Sequence, residues 1–172
     1  MATSALISVE EYLRSDWSPD REYVDGEIQE RNLGEYDHAT LQNYLLFLFQ
    51  TNARLWRVKA RPELRVQVAP QRFRVPDVTV LRDDHPAEQI IVTQPLLCIE
   101  ILSPDDRFGR MDQKITDYLQ MGVRSVWVID PLAKTGYDCH GGHLSMWKLA
   151  TRLRVPDTAI DIDVDALYAS LD

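Results

Sequence analysis

Three largely apolar runs of strand length constrain the fold of this chain more than any other feature. They cover residues 75–81, 96–102 and 123–129. A strand with one face in water alternates apolar and polar residues, whereas a strand covered on both faces is apolar almost throughout. Each run therefore predicts a strand that is buried on both sides. Such strands need helices against both faces of their sheet, so the sequence predicts a mixed α/β fold.

The pattern between residues 37 and 52 predicts the first covering helix. Its apolar residues repeat with the helical period, at positions 41, 44, 45, 48 and 49. Asp37 or His38 should begin this helix, which runs to about residue 52. Because Leu46 and Phe47 widen the apolar stripe, the helix is either deeply buried or part of a homodimer interface.

Weaker patterns predict the other helices and one edge strand. A helix over about residues 109–121 should end at Gly122, a residue type that favours a helix C-terminus. Shorter helices are predicted over residues 9–14 and 164–171. Residues 143–149 have the pattern of an edge strand.

Two further pairs of strands are predicted in the first half of the chain. Asp25-Gly26 is a favoured two-residue turn, which predicts a hairpin over residues 22–28. Residues 57–60 and 64–68 alternate apolar with basic residues. That alternation is expected of a half-exposed antiparallel pair.

The composition is that of a globular protein expected in the cytoplasm. The chain has 172 residues, 45% hydrophobic and 27% charged, and contains no repeat or linker, so residues 1–172 should form a single domain. Residues 1–8 do not resemble a signal peptide, and the apolar runs are shorter than the ~20 residues that span a bilayer. Of the two cysteines, Cys98 should be a core residue and Cys139 should lie in a polar turn. Two cysteines do not make a disulfide framework.

The distribution of charge leaves two interpretations open. A net charge of −8 argues against a protein that coats nucleic acid nonspecifically. Residues 54–74, however, carry seven basic residues against one acidic residue. This segment is either a solvated hairpin or a surface that follows a phosphate backbone. In the second case, the residues predicted to contact nucleic acid are Arg57, Lys59, Arg61 and Arg65.

Glu100 is the anomaly in the apolar pattern, because it lies inside the most apolar run of the chain. An unpaired buried carboxylate is very unfavourable, so Glu100 must be neutral, ion-paired or bound to a cation. Alternation along the strand places it on the same face as Cys98 and Leu102.

Asp77 supplies a second carboxylate in a neighbouring apolar run. If the two strands pair, facing side chains lie ~5 Å apart. Two carboxylates at that distance repel each other, which should raise the pKa of at least one of them. Together they suit one divalent cation.

Lys114 is the candidate third member of this site. It lies at the edge of the core-facing stripe of its predicted helix, and its long stem can carry the ammonium past that stripe into a pocket. Near a bound cation, the ammonium can orient the attacking water or stabilise charge on a phosphate. The alternative is that Glu100 and Lys114 form a structural ion pair without a metal.

An ordered series of short motifs resembles one protein family. The motifs are EYVDGE at 22–27, a histidine opening a helix at 38, PDVTV at 76–80, EILSP at 100–104, DxKxxxY at 112–118, GV at 122–123 and WVIDP at 127–131. Each motif is weak, but their order closely resembles the Uma2 family of endonucleases in the PD-(D/E)XK superfamily. The resemblance implies a restriction-endonuclease-like fold with a mixed central sheet flanked by helices, Mg²⁺ or Mn²⁺ as cofactor, and cleavage of DNA.

The resemblance also assigns roles to individual residues. Asp77 and Glu100 match the metal ligands of the superfamily. The general superfamily pattern has a lysine two residues after the glutamate, where this chain has Leu102. Similar proteins supply the lysine from the following helix, which makes Lys114 the matching residue.

Glu22 and His38 are supporting candidates in the same resemblance. Glu22 is either a metal ligand or an acid that supports the ligands, or else a solvated hairpin residue. His38 either contacts the phosphate or orients water, or else is simply the first residue of a helix.

Two functions follow from these observations. The first is a metal-dependent endonuclease that hydrolyses phosphodiester bonds in DNA, and the presence of all three core residues favours it. The alternative is a nuclease-fold binding or regulatory module without turnover, which the acidic net charge favours.

Overall fold

The computed structural model describes residues 6–32, 34–169 and 171. Within that part of the chain the α-helices are α1 (Val9–Arg14), α2 (Tyr36–Thr51), α3 (Ala53–Trp56), α4 (Phe108–Met121) and α5 (Val164–Tyr168). The strands are β1 (Glu22–Val24), β2 (Glu27–Gln29), β3 (Val58–Pro62), β4 (Val66–Ala69), β5 (Arg72–Arg74), β6 (Val78–Arg82), β7 (Leu97–Ile101), β8 (Ser125–Asp130), β9 (Thr135–Cys139), β10 (Trp147–Ala150), β11 (Arg152–Arg154) and β12 (Asp161–Asp163). The helices predicted over residues 9–14, 37–52 and 109–121 are confirmed to within one residue, whereas the helix predicted over 164–171 begins at Val164 but ends at Tyr168.

The central sheet is built within residues 58–150, all of which are described. Six strands pair in the order β10-β9-β8-β7-β6-β3. β7 and β8 run parallel, and the other neighbours run antiparallel. Parallel neighbours need a long crossover, which α4 provides. The three apolar runs supply β6, β7 and β8 in the middle of the sheet, so the prediction of buried central strands is confirmed.

Helices cover both faces of this sheet. On one face, α2 packs Leu45 into the same apolar cluster as Ile99 of β7. On the other face, α4 packs Ile115 into a second cluster that contains Cys98 of β7. Neighbouring residues of one strand thus enter opposite layers, as the alternation of a strand requires. The predicted mixed α/β architecture is confirmed.

The apolar stripe of α2 is divided between the core and the surface. Leu41, Leu45 and Phe49 are fully buried, whereas Phe47 is 66% exposed. Burial therefore accounts for the main stripe, and a homodimer interface stays a prediction. Among the described residues, no helix is both long and apolar enough to cross a membrane.

A second sheet carries the predicted hairpin. Its strands pair in the order β2-β1-β5-β4. The turn between β1 and β2 places both Asp25 and Gly26 at positive φ, which confirms the two-residue turn. This sheet supplies Glu22 and Arg74 to the candidate active site.

The predicted pairing of residues 57–60 with residues 64–68 is wrong. The strand at 58–62 is β3, which pairs with β6 at the edge of the central sheet. The strand at 66–69 is β4, which pairs with β5 in the second sheet. Alternation of apolar and polar residues reports that a strand is half-exposed, but it carries no information about which strand lies beside it.

Two further predictions, both in the C-terminal half of the chain, differ from the structure. The predicted edge strand at 143–149 begins as a 3₁₀ turn over Leu144–Met146, and the strand itself is Trp147–Ala150. Cys139 does not lie in a polar turn, because it ends β9 and is buried. The polar residues of β9 gave no apolar pattern from which a strand could be predicted. β9 is nevertheless a strand, because it pairs with a neighbouring strand on each side.

Candidate active site

The pairing of β6 with β7 brings the two predicted carboxylates together. Val78 lies opposite Ile99 in this antiparallel pair. Continuing the register by one residue places Asp77 opposite Glu100 at the same end of the sheet. Both side chains are buried. Neighbouring strands thus produce the close carboxylates that the apolar runs suggested.

Asp77 is held by donors from three directions. Its Oδ1 accepts a hydrogen bond from Arg31 Nη2 at 3.0 Å, and its Oδ2 accepts one from the backbone N–H of Ile101 at 2.7 Å. His38 Nε2 lies 3.3 Å from Oδ2. Gln42 Nε2 donates to the Asp77 carbonyl at 2.9 Å, so α2 also fixes the backbone. The carboxylate is therefore fixed at its backbone and at both of its oxygens.

Glu100 shares its two oxygens between residues of α4. Lys114 Nζ donates to Oε2 at 2.7 Å, and Tyr118 Oη donates to Oε1 at 2.5 Å. The same Lys114 Nζ lies 3.0 Å from Glu22 Oε1. The ammonium therefore bridges a carboxylate of the central sheet and a carboxylate of the second sheet.

Glu22 is positioned by Arg74, which is fully buried. Arg74 Nη1 donates to Glu22 Oε2 at 3.0 Å, and Arg74 Nε donates to Asp117 Oδ2 at 2.8 Å. The backbone N–H of Val75 donates to Glu22 Oε1 at 3.1 Å. This network ties the second sheet to α4, and thereby fixes the helix that carries Lys114.

These groups surround a cavity of about 50 Å³. All five residues predicted for the catalytic site line it: Glu22, His38, Asp77, Glu100 and Lys114. At roughly 10–15 Å³ of such volume per water, the cavity has room for a few water molecules beside the carboxylates.

A larger cavity of about 300 Å³ adjoins the acidic one. The two share parts of their walls, including His38 and Ser103, and the larger one adds the exposed side chains of Phe108 and Leu132. The acidic cavity therefore borders a partly apolar space large enough for a bulkier part of a substrate.

The carboxylates of the site differ in their pKa values. Burial, reinforced by the charges of Asp77 and Glu22, raises the pKa of Glu100 to about 7, although Lys114 opposes the shift. Burial also opposes ionisation of Asp77 and Glu22, but their cationic and hydrogen-bonding neighbours outweigh it and lower both pKa values. The pKa of Glu100 is raised in the predicted direction, but burial contributes more to the shift than the predicted repulsion from Asp77.

The raised pKa of Glu100 gives an expected pH dependence of stability. The folded protein keeps this proton up to about pH 7, whereas the unfolded chain loses it near its ordinary pKa of 4.5. The contribution of Glu100 is therefore fully present below pH 4.5 and is lost as the pH rises through 7. We expect Glu100→Gln to remove this loss, which is about 3 kcal/mol at most.

Urea denaturation from pH 5 to pH 8 in chelator measures this difference. The free energy of unfolding of Glu100→Gln should gain on that of the wild type as the pH rises. Glu27→Gln, at an exposed position, serves as the control. Parallel curves for wild type and Glu100→Gln would show that Glu100 ionises normally in the folded protein.

The donor set suits a small hard cation. Among the described residues, no group of three or more His, Cys, Asp or Glu side chains is arranged to hold a metal. Mg²⁺ commonly binds through one or two carboxylates and keeps several waters. Asp77 and Glu100 supply two carboxylates, with a cavity for a few waters beside them. Burial is the largest cause of the raised pKa of Glu100, and the repulsion from Asp77 and Glu22 that adds to it would be relieved by added positive charge.

The predicted nucleic-acid contacts lie elsewhere. Arg57, Lys59, Arg61 and Arg65 are all described, and none of the four lines the acidic cavity. The Arg65 guanidinium donates two hydrogen bonds to the Asp20 carboxylate, from Nη2 to Oδ1 at 2.6 Å and from Nε to Oδ2 at 2.8 Å.

Sequence reasoning missed two arginines of the site. Arg74 stands between Phe73 and Val75, and a charged residue among buried apolar neighbours is the same signal that identified Glu100. Arg31 has no comparable local signal, because its segment is polar and its approach to Asp77 arises from the tertiary structure.

Comparison with known proteins shows the family to which this chain belongs. The family model for Uma2, described as "Putative restriction endonuclease", matches residues 9–158. This chain belongs to the Uma2 family. The Uma2 match covers every residue of the site described above, and the predicted resemblance to the family is confirmed. The family assignment supports nuclease activity.

A solved structure has the same fold as this chain. It is the crystal structure of a putative nuclease belonging to DUF820 from Anabaena variabilis ATCC 29413. The two superpose with a TM-score of 0.83 at 23% sequence identity, over 96% of this chain and 99% of the other. That likeness shows the fold and confirms the predicted nuclease-like architecture. No curated protein matched the sequence.

Proposed function

We propose that this protein is a metal-dependent endonuclease that hydrolyses phosphodiester bonds in DNA. The observation that carries this proposal is the convergence of five side chains, drawn from positions 22 to 114, around one small polar cavity. Buried carboxylates with shifted pKa values in a cleft are typical of catalytic sites. Membership of the Uma2 family, described as "Putative restriction endonuclease", supports the same assignment.

Asp77 and Glu100 are the residues that would hold Mg²⁺ or Mn²⁺. When bound, such a cation stabilises negative charge on a phosphate and makes water a stronger nucleophile at neutral pH. Hydrolysis consumes one water: its oxygen bonds to phosphorus, the bond from phosphorus to the leaving oxygen breaks, and a proton passes to the leaving oxygen.

Lys114 supplies the fixed positive charge of the site. Its pKa is raised, because the charges of Glu100 and Glu22 outweigh the effect of burial, so the ammonium stays protonated. From its position between the two carboxylates it can donate to the attacking water or to a phosphate oxygen. Glu22 holds Lys114 in place, and His38 holds Asp77.

The alternative is a nuclease-fold binding or regulatory module without turnover. Two observations favour it. Both oxygens of Asp77 and of Glu100 already accept hydrogen bonds from the protein, so the site is satisfied electrostatically without a metal. The net charge of −8 also disfavours approach of a polyanion.

Asp77→Asn tests the proposed function directly. With millimolar Mn²⁺ the wild type should cleave supercoiled plasmid or single-stranded DNA, and chelator should stop the reaction. Asp77→Asn should slow cleavage by about 10³-fold, since it removes an anionic ligand and several kcal/mol of charge stabilisation. It should also lose most of the manganese-dependent rise in melting temperature that mass action gives the wild type.

Asp84→Asn, at an exposed turn remote from the cavity lining, is the matched control and should keep both responses. A wild type that binds DNA but cleaves neither substrate would favour the binding module. The surface formed by Arg57, Lys59, Arg61 and Arg65 stays a prediction for where the DNA lies.

A further inference from the structure

Arg31 places a positive charge against one of the two carboxylates expected to hold the cation. Its Nη2 lies 3.0 Å from Asp77 Oδ1, and its Nη1 lies 3.4 Å from Glu63 Oε1. The Arg31 side chain is 12% exposed and lines the acidic cavity. A guanidinium therefore neutralises Asp77 at the place where a divalent cation would do so.

The residues on either side of Arg31 are held by other contacts, one through its backbone and the other through its side chain. The Glu30 carbonyl accepts a hydrogen bond from Arg110 Nη2 at 2.8 Å. Asn32 Nδ2 donates to Asp106 Oδ1, also at 2.8 Å. Because both neighbours are held independently, the Arg31 side chain can turn within the cavity while its segment stays in place.

Arg31 and Lys114 differ in what would happen when a cation arrives. Lys114 has a second buried carboxylate, Glu22, which would still pair with it. The second partner of Arg31 is Glu63, whose side chain is 52% exposed at a longer distance. Exposed pairs are weak, since water and salt screen them. Of these two cations, Arg31 is therefore the one that a metal would release.

Building on the function proposed above, we propose that Arg31 exchanges partners: it pairs with Asp77 in the metal-free protein and contacts the substrate phosphate once a divalent cation is bound. A dication held by Asp77 would repel the guanidinium, and the planar fork of arginine matches the oxygens of a phosphate. Since Arg31 lines the same cavity, a phosphate placed there lies within its reach.

The exchange makes opposite predictions for metal binding and for cleavage. Arg31→Ala should bind Mn²⁺ about tenfold more tightly than the wild type in calorimetry without DNA, because the metal no longer displaces a guanidinium. The same variant should cleave DNA about 10²-fold more slowly, and added guanidinium ion should restore part of that rate. Arg31→Lys should keep an intermediate rate, because it retains the charge without the fork.

Arg14→Ala, at an exposed position on α1, is the control and should change neither quantity. Unchanged or weaker manganese binding by Arg31→Ala would overturn the exchange. Tighter binding with wild-type cleavage would overturn the phosphate contact and leave the nuclease function standing. Tighter binding with no cleavage by the wild type would support the displacement of Arg31 and overturn the nuclease function instead. A purely structural Arg31 would show no rescue by guanidinium ion.

Discussion

Replacing Lys114 with alanine is expected to lower the rate of DNA cleavage by about 10²- to 10³-fold while manganese binding persists. The ammonium lies 2.7 Å from Glu100 and 3.0 Å from Glu22, so it is placed to act on water or phosphate. Asp77 and Glu100 both remain in the variant. Loss of the positive charge leaves their repulsion less compensated, which favours a cation.

Single-turnover cleavage and a manganese titration followed by thermal melting measure the two effects separately. Lys148→Ala, at an exposed position of β10, is the matched control and should cleave at the wild-type rate. If Lys114→Ala also cleaves at that rate, Lys114 is a structural partner of Glu100 and the catalytic role assigned to it is wrong.

Replacing Arg74 with methionine is expected to lower the free energy of unfolding by about 3–5 kcal/mol. Arg74 is fully buried between Glu22 and Asp117, and its removal takes a cationic partner from each of these two buried carboxylates. Such a loss is a large part of the 5–15 kcal/mol that stabilises a typical domain. Urea denaturation at pH 7.5 in chelator measures it.

Two further variants separate the charge network from simple packing. Arg61→Met, at an exposed position of β3, should change the free energy of unfolding by little. Arg74→Met combined with Glu22→Gln and Asp117→Asn should recover part of the loss, because the two buried negative charges that lost a partner are gone. A triple variant no more stable than Arg74→Met would show that the cost comes from packing.

The residues of the site differ in how far the sequence could reveal them. Glu100 and Asp77 stand out because a carboxylate in an apolar strand must have a partner. Arg74 carries the same signal, but its role is recognisable only in the folded protein, where β5 lies beside α4 and Arg74 donates to Asp117. Arg31 lies in a polar segment, and its contact with Asp77 spans positions far apart in the chain. Local pattern cannot supply such a contact.

The strands show the same division. The runs that became β6, β7 and β8 were recognisable because burial on both faces demands apolar side chains at nearly every position. The strands of the second sheet were recognised in part, but the partners of β3 and β4 were not. β9 was missed, since its neighbours on both sides stabilise it despite polar residues.

The sequence by itself determined the layers of this protein, its central strands, its main helices and its family, because those depend on periodic burial and on motifs that are local in the chain. It also identified five residues that the fold gathers around one cavity. The tertiary structure decided which carboxylate each basic side chain meets: Arg31 and His38 contact Asp77, Lys114 lies between Glu22 and Glu100, and Arg74 pairs with Glu22. Those pairings depend on side-chain positions across two sheets and two helices, and electrostatic contacts of that kind leave no periodic trace in the order of the residues.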